Sequence, residues 1–474
     1  MPRRFGHAGF VSLLLLLLVL APVITQLSTA RPGGPTEPKN TGFTAVGNAS
    51  QVTRNPCVGT VTDRPNGTTL LSIQGARGGE KTAAMLVGIR PSGEVVGVHN
   101  DSANGRWWVY DIERLANDNL LLSTTEPGIS IVEELNATTG EHVSTRRFPN
   151  VLDSHDADLI NGDELLLNDM SRNGNDRVIV YNLSSEEIVW EYRFDDYPTA
   201  FPKEGGGEYG GDWTHNNDID QIRPGVFMVS VRNFDQVVAI DRETKEIRWT
   251  LGNDDNRDIL FEQHNPDYIE GENGTATVIV ADSRNDRVVE YSRENDKWVR
   301  TWVLRGGGLN EPRDADRLPN GNTLVVDRRG DRLLEVTPQG DVVWEFYAPW
   351  QPYDAERIGT GDGSTAPTAR QLNATGVHEL TGSAGVDESR TEACYAYLTD
   401  WSGGSQLVPS EELATTQPAD TDSTATASRT LGNNDNALKT PPSRLPDVPI
   451  VAGGILVILI STLLGLAATR RWRS

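Results

Sequence analysis

The chain has 474 residues, is 37% hydrophobic, and carries only six lysines against 37 arginines. Asp and Glu total 67 against 43 basic residues, a net charge of -24 that is spread along the sequence and not gathered in a tail. That balance argues against a nucleic-acid partner, whose phosphates would be repelled. It fits a surface that works in concentrated salt, where repulsion is screened.

The N-terminus runs Met1-Pro-Arg3-Arg4, then an apolar stretch from Phe10 to Ile24, then Ser28-Thr-Ala30. A basic start, an apolar core and a small-residue cleavage site predict a signal peptide over 1–30, with an uncleaved signal anchor as the alternative. From 31 to 402 the signals are those of short strands and turns, and helix-period patterning is almost absent.

One block recurs along that region: His155-Asp-Ala-Asp158, His215-Asn-Asn-Asp218, His264-Asn-Pro-Asp267 and Arg313-Asp-Ala-Asp316, with anchors 60, 49 and 49 residues apart. Tyr110-Asp-Ile-Glu113 is a weaker copy, and Gly59 to Arg64 fits loosely. Tyr353-Asp-Ala-Glu356 either begins a seventh unit or completes the last. Within a unit, Leu318-Pro-Asn-Gly321 is a turn, followed by strand runs at Thr323–Asp327, Arg332–Val336 and Val342–Phe346. Periods of this size with four short strands predict an all-β fold, a β-propeller of six blades with seven as the alternative. Trp190 and Trp249, near the ends of their units, are expected to pack between blades.

Repeats arranged around an axis bring equivalent positions together, so His155, His215, His264 and Arg313 are expected to converge at the channel. Imidazoles serve as nucleophile or as general acid and base near neutral pH, and the arginine fork suits a tetrahedral oxyanion. Three histidines could instead hold Zn²⁺, although the neighbouring arginine opposes a cation and no His-x-x-x-His spacing is present. The bland alternative is that each histidine is bonded to the Asp three residues on. Asp158, Asp218, Asp267 and Asp316 are expected to orient or cap the turn and not to react.

Cys57 lies just before the first unit and Cys394 after the last. First and last units of a ring are neighbours, so a disulfide clasping the ring is expected in an oxidising compartment, with two unrelated thiols as the alternative. Residues 403–447 are rich in Thr, Ser, Asp and Pro and read as a disordered stalk. Val448 to Ala468 has 21 residues without a charge, enough to span a bilayer. Arg470-Arg-Trp-Arg473 in the 469–474 tail marks the cytoplasmic side. The expected location is therefore a cell membrane, with one pass and the propeller outside. Asn-x-Ser/Thr acceptors stand at Asn48, Asn66, Asn100, Asn136, Asn182, Asn273 and Asn373, so a glycoprotein is expected.

The run from Trp213-Thr-His215-Asn-Asn217 to Val231-Arg232 resembles the active-site segment of the aryl-sulfate sulfotransferases, six-bladed propeller enzymes of the bacterial periplasm. The resemblance covers roughly residues 59 to 350. It implies that His215, Asn217 and Arg232 bind a sulfuryl group, that His155 is a further active-site histidine, and that His264 is the nucleophile. The implied reaction moves a sulfuryl group from an aryl sulfate to a phenol through a sulfohistidine, with Arg313 as a further binding residue, no cofactor and no nucleotide donor. Val237 to Trp249 also resembles quinoprotein-like blades, which keeps a surface-anchored binding or scaffold role open. A metal-dependent hydrolase or lyase on the same fold is a third reading.

Overall fold

Runs such as Leu165-Leu-Leu167 and Val237-Val-Ala-Ile240, ended by Asp, Asn or Gly in tight turns, favour short antiparallel strands buried on both faces. The structure, a computed structural model, describes residues 55–171, 175–360, 363–385 and 387–413, all within one of the two units into which the chain divides, Gly47–Ser474. Its strands build six sheets of four or five strands and one two-stranded ribbon.

Blade 2 runs outward as Trp108–Arg114, Leu120–Glu126, Ile129–Leu135 and His142–Phe148. Blade 3 is Ala157–Ile160, Glu164–Asp169, Arg177–Asn182 and Glu187–Arg193; blade 4 is Asn216–Arg223, Val226–Val231, Gln236–Asp241 and Ile247–Gly252. Blade 5, His264–Gly271, Thr275–Asp282, Arg287–Glu294 and Lys297–Arg305, gains Gly376–Glu379 as a parallel outer strand. Blade 6 is Pro312–Arg317, Thr323–Asp327, Arg332–Val336 and Val342–Tyr347.

Blade 1 closes the ring. Its inner strand is Pro352–Arg357, and its outer three, Thr69–Ile73, Met85–Ile89 and Val95–Asn100, come from the other end of the domain. Tyr353-Asp-Ala-Glu356 therefore completes a six-bladed ring and does not begin a seventh blade. The Gly59–Arg64 stretch is not an inner strand. Val58–Val61 instead pairs antiparallel with Val342–Tyr347 as the outermost strand of blade 6. Every inner strand touches the inner strands of both neighbouring blades, which encloses a channel.

The core is divided among the seams between sheets. Leu166, Val180, Phe227 and Val229 fill the seam of blades 3 and 4. Trp190 packs edge-on against Phe227 and donates its indole N–H to the Arg242 carbonyl at 2.8 Å, while Trp249 meets Trp298 of blade 5. These tryptophans join neighbouring blades.

Cys57 and Cys394 form a disulfide. Cys394 sits on a helix absent from the sequence reading, α1, Glu388–Thr399, whose N-terminus is capped by the Asp387 carboxylate accepting from the Ser389 and Arg390 N–H groups. Both cysteines share a core cluster with Leu71 and Val87 of blade 1 and Leu333 and Phe346 of blade 6. The bridge thus pins α1 over the closing seam, while the ring itself is closed by the Pro352–Arg357 strand.

The first residues of the stretch expected to be a stalk instead pack against the blades. Leu407 and Val408 are buried, and their N–H groups donate to the Ala137 carbonyl at 2.9 Å. Gly88 and Gly97 admit this segment: a Cβ at Gly97 would lie 1.8 Å from the Gln406 carbonyl oxygen. The signal segment 1–30, the remainder of the stalk, the apolar span 448–468 and the tail 469–474 lie outside the described residues. Among the described residues no helix is long and apolar enough to cross a membrane.

Candidate active site

Six equivalent positions converge where the inner strands begin: Tyr353, Tyr110, His155, His215, His264 and Arg313 for blades 1 to 6. Register shifts at the start of the inner strands of blades 2, 4, 5 and 6 bend the backbone there, and such bulges re-aim side chains. The Tyr110 ring lies 4.0 Å from that of His155, His155 lies 5.2 Å from His215, and Tyr353 lies 5.6 Å from His155 and 6.3 Å from His264, centroid to centroid. His155, His215, His264 and Arg313 thus come together, with two tyrosines that the sequence reading left out.

Five of the six ring residues have a polar residue two or three positions upstream. Asp153, Glu262, Glu311 and Gln351 stand two positions before His155, His264, Arg313 and Tyr353, all with left-handed backbone (φ of 53°, 45°, 51° and 63°). Non-glycine residues take this conformation infrequently, and it recurs at functional sites. Asp153 accepts from the Tyr110 hydroxyl at 2.9 Å and stands 3.7 Å from His155 Nε2. In blade 4 the acid lies three residues upstream: Asp212 Oδ1 is 2.7 Å from His215 Nδ1, and His215 itself has φ of 44°.

His264 is buried, and its Nδ1 meets the Glu262 carbonyl at 3.1 Å, the Ser283 hydroxyl at 3.0 Å and Arg313 Nη1 at 2.8 Å. No hydrogen-bond partner among the described residues reaches its Nε2. Burial, then the Arg313 and Arg232 charges, hold this imidazole well below the usual histidine range. Burial also lowers His215 to about 4, against the opposing Asp212 bond, with Arg232 and His155 adding to the fall. Both rings are therefore neutral at neutral pH. Burial opposes the ionised form of Asp212, yet His215 and Arg232 bring that carboxyl down to about 2. The His155 Nδ1 lies 3.1 Å from the Tyr353 hydroxyl.

Arg232 has repeat counterparts at Arg172, which lies outside the described residues, and at Arg284 and Arg328, whose side chains bond to the acids upstream of the ring. Arg232 donates to Glu262 at 2.7 Å, Arg284 to Glu262 at 3.0 Å, and Arg328 to Glu311 and Gln351 at 2.6 Å each. Arg313 donates to Glu311 at 3.0 Å, and burial, then Arg328, lowers its guanidinium to about 9. Among the described residues the buried Nε atoms of Arg232, Arg313 and Arg328 have no hydrogen-bond partner, an incomplete set of donors that an oxyanion would satisfy. Asn217 is placed differently. Its amide donates to the Gln263 carbonyl at 3.0 Å, joining blades 4 and 5, while its Oδ1 is buried and unpartnered.

The histidines are not bonded to the Asp three residues on. Asp158 accepts from the Gln221 N–H at 3.0 Å, and the second-position acids Asp156, Asp314 and Asp354 accept from Ile219, Ala355 and Ile112 at 2.7, 3.3 and 3.0 Å. Each of these bonds crosses to the next blade, so the acids stitch the ring. Burial, with repulsion from neighbouring carboxylates, raises Asp156 to about 7; burial raises Asp158 to about 6 and Asp316 to about 7.

A cavity of 830 Å³ opens beside the ring, lined by residues including Trp107, Trp108, Leu152, Asp153, Met170, Asp212 and His215. Its aromatic wall was not foreseen; the adjacent Trp107-Trp108 pair just ahead of the Tyr110 unit was the available signal. His215 lines this cavity and His264 does not. A smaller cavity of 290 Å³, lined by Arg300, Trp302 and Arg370, lies at the outer strand of blade 5.

No curated protein matches the chain. Similar solved structures include a protein of unknown function from Bacteroides caccae (14% identity, TM-score 0.42, 66% of this chain and 98% of that one). They also include the periplasmic gluconolactonase of Pseudomonas aeruginosa (12%, 0.41, 62% and 99%) and a virginiamycin B lyase from Staphylococcus aureus (10%, 0.37, 61% and 87%). The family model described as Arylsulfotransferase (ASST) matches residues 99–263. That match spans blades 2 to 4 and includes His155, His215, Asn217 and Arg232, so this part of the chain is similar to the arylsulfotransferases.

Proposed function

We propose that the protein transfers a sulfuryl group from an aryl sulfate ester to a phenolic acceptor through a histidine. The observation that carries this reading is a neutral, anchored His264 beside an arginine and two further imidazoles, in a ring whose matched part is arylsulfotransferase-like. Trp107 and Trp108 offer an apolar face for the aryl ring. Arg232 and Arg313 supply donors for the sulfuryl oxygens.

Arg313 can only donate and occupies His264 Nδ1 at 2.8 Å; once it swings away, Nδ1 carries the proton, donates it to the Glu262 carbonyl, and leaves the Nε2 lone pair free. Nε2 attacks sulfur, an N–S bond forms, the S–O(aryl) bond breaks, and the phenolate leaves with a proton supplied at His155. The acceptor phenol then gives its proton back at His155, its oxygen attacks sulfur, and the N–S bond breaks. Arg313 must swing from His264 Nδ1 to the sulfuryl oxygens for this to proceed. His264 lies one residue beyond the matched region, and its assignment rests on the resemblance together with this geometry.

A second reading of the nucleophile rests on the cavity: His215, paired with Asp212, is the imidazole that lines it. Membrane attachment through 448–468, with the propeller outside, is part of the same proposal. A chromogenic aryl-sulfate assay in high salt, with and without a phenol, tests the activity. We expect acceptor-dependent release of the aryl product that is lost in His264→Ala and indifferent to chelator. A folded protein that releases no product under these conditions would leave only the binding role.

A further inference from the structure

We propose that His99, Asp101 and His142 form a site for a first-row divalent cation of the Zn²⁺ class, clipping blade 1 to blade 2 away from the histidine ring. The candidate ligand atoms of these three residues all lie within 4.8 Å of one another. His99 ends the outer strand of blade 1, Asp101 starts the turn that follows, and His142 begins the outer strand of blade 2. The site thus joins two blades through chain segments about 40 residues apart.

The geometry gives the ion a position. His99 Nε2 and His142 Nε2 each lie 3.4 Å from the same atom, Asn104 Nδ2, so both imidazoles aim at one point. Asn104 is exposed, so its side chain is free to turn away or to present its oxygen. Asp101 is fully buried and stands 2.8 Å from His99 Nε2, yet its Oδ2 has no hydrogen-bond partner among the described residues. The fully buried Glu133, 3.6 Å from His142 Nδ1, likewise has an unpartnered Oε2. Unpaired buried carboxylate oxygens are costly, and a cation would satisfy them.

The nearest positive group does not fill that role. Arg106 is committed to Glu133 Oε1 at 3.0 Å and Glu126 at 2.8 Å, and Glu126 is shared with Arg147. Counting Asp101, Glu133 and Glu126 against Arg106 and Arg147 leaves one net negative charge on the groups around the two imidazoles. Two imidazoles and a carboxylate favour Zn²⁺, Co²⁺ or Ni²⁺ over Ca²⁺ or Mg²⁺, which take oxygen ligands. The segment between ligands and cavity is short: Arg106 precedes Trp107, and Glu126 lines the cavity. A bound ion would hold that wall.

The test uses the full chain without affinity histidines, stripped with chelator and dialysed, then titrated calorimetrically with Zn²⁺ and followed by thermal unfolding. Co²⁺ loading is read by visible spectroscopy. We expect one equivalent bound, a raised melting temperature and d–d bands typical of nitrogen and oxygen ligation. His142→Ala, at a partly exposed strand position where folding is preserved, should weaken affinity at least tenfold, and Asp101→Asn should do the same. His264→Ala should leave stoichiometry and affinity unchanged. Absence of saturable binding, binding undiminished in both site variants, or binding lost in His264→Ala would each overturn the proposal. The outcome is independent of sulfuryl transfer, since no turnover is measured.

Discussion

At the scale of single residues, burial keeps two imidazoles of the ring, His215 and His264, uncharged. His215 sits at about 4 and His264 well below the usual histidine range, so their neutral forms persist into acid. Neither ring should therefore set an acid limb of kcat/KM in the usual histidine range, and His215 should cost no activity until pH approaches 4. An acid limb near 6.5 that vanished in His215→Gln would contradict this placement. Tyr353 holds His155 Nδ1 at 3.1 Å. Tyr353→Phe should cost about five- to tenfold in kcat, the size of one buried hydrogen bond at about 1–1.5 kcal/mol. Arg313→Lys keeps a charge but loses the fork. It should lower kcat by about 10²-fold or more, as the loss of an oxyanion donor does.

At the scale of elements, two features join the ends of the domain to the ring. The Cys57–Cys394 bridge encloses a separation of 337 residues, and its removal in Cys394→Ser should cost about 2–5 kcal/mol, read by denaturant unfolding under oxidising conditions. Gly97→Ala should expel the 404–408 segment from blade 1, because its Cβ would collide with the Gln406 carbonyl. Limited proteolysis should then cut near Leu407, where the wild type resists. The inner strands were legible because the first residue of each serves a common channel, so His155, His215, His264 and Arg313 recur in register. Gly59–Arg64 misled because its turn chemistry matches a unit start while its strand serves the outer edge of blade 6. Helix α1 was hidden by weak amphipathic patterning, its burial resting on Thr391, Cys394 and Leu398. The upstream acids Asp153, Glu262 and Glu311 and the Trp107–Trp108 wall escaped notice because their roles come from left-handed turns and from packing across blades, neither of which leaves a periodic mark. His99 and His142 bear no repeat relation to each other, and only the packing of two outer strands brings them together.

At the scale of the whole molecule, the channel is lined with carboxyls that burial and mutual repulsion keep protonated. Asp156 and Asp316 stand at about 7 and Asp158 at about 6, with Asp111, Glu113, Asp218, Asp220, Asp314, Asp354 and Glu356 also raised. A carboxyl raised above its unfolded value near 4 holds a proton that the unfolded chain has released, so its contribution favours folding at acid pH and is lost as pH rises through about 6 to 7. The depressed imidazoles act in the opposite sense between about 4 and 6.5, but they are outnumbered. The melting temperature should therefore be higher at pH 5 than at pH 8, and the difference should survive molar salt, which screens surface repulsion but not buried groups. Asp316→Asn should shrink that difference; a profile flat in molar salt, or unchanged by the substitution, would contradict the account. On the proposed reading the ring brings one neutral imidazole to a sulfuryl group, and that proposal is tested most directly by trapping. The protein is mixed with an aryl sulfate in the absence of acceptor, quenched, digested and read by mass spectrometry for the increment of one SO₃ group. The account predicts a label on His264 that is discharged by added phenol. A label on His215 would move the nucleophile to the cavity wall, and turnover without any labelled histidine would contradict a histidine intermediate altogether.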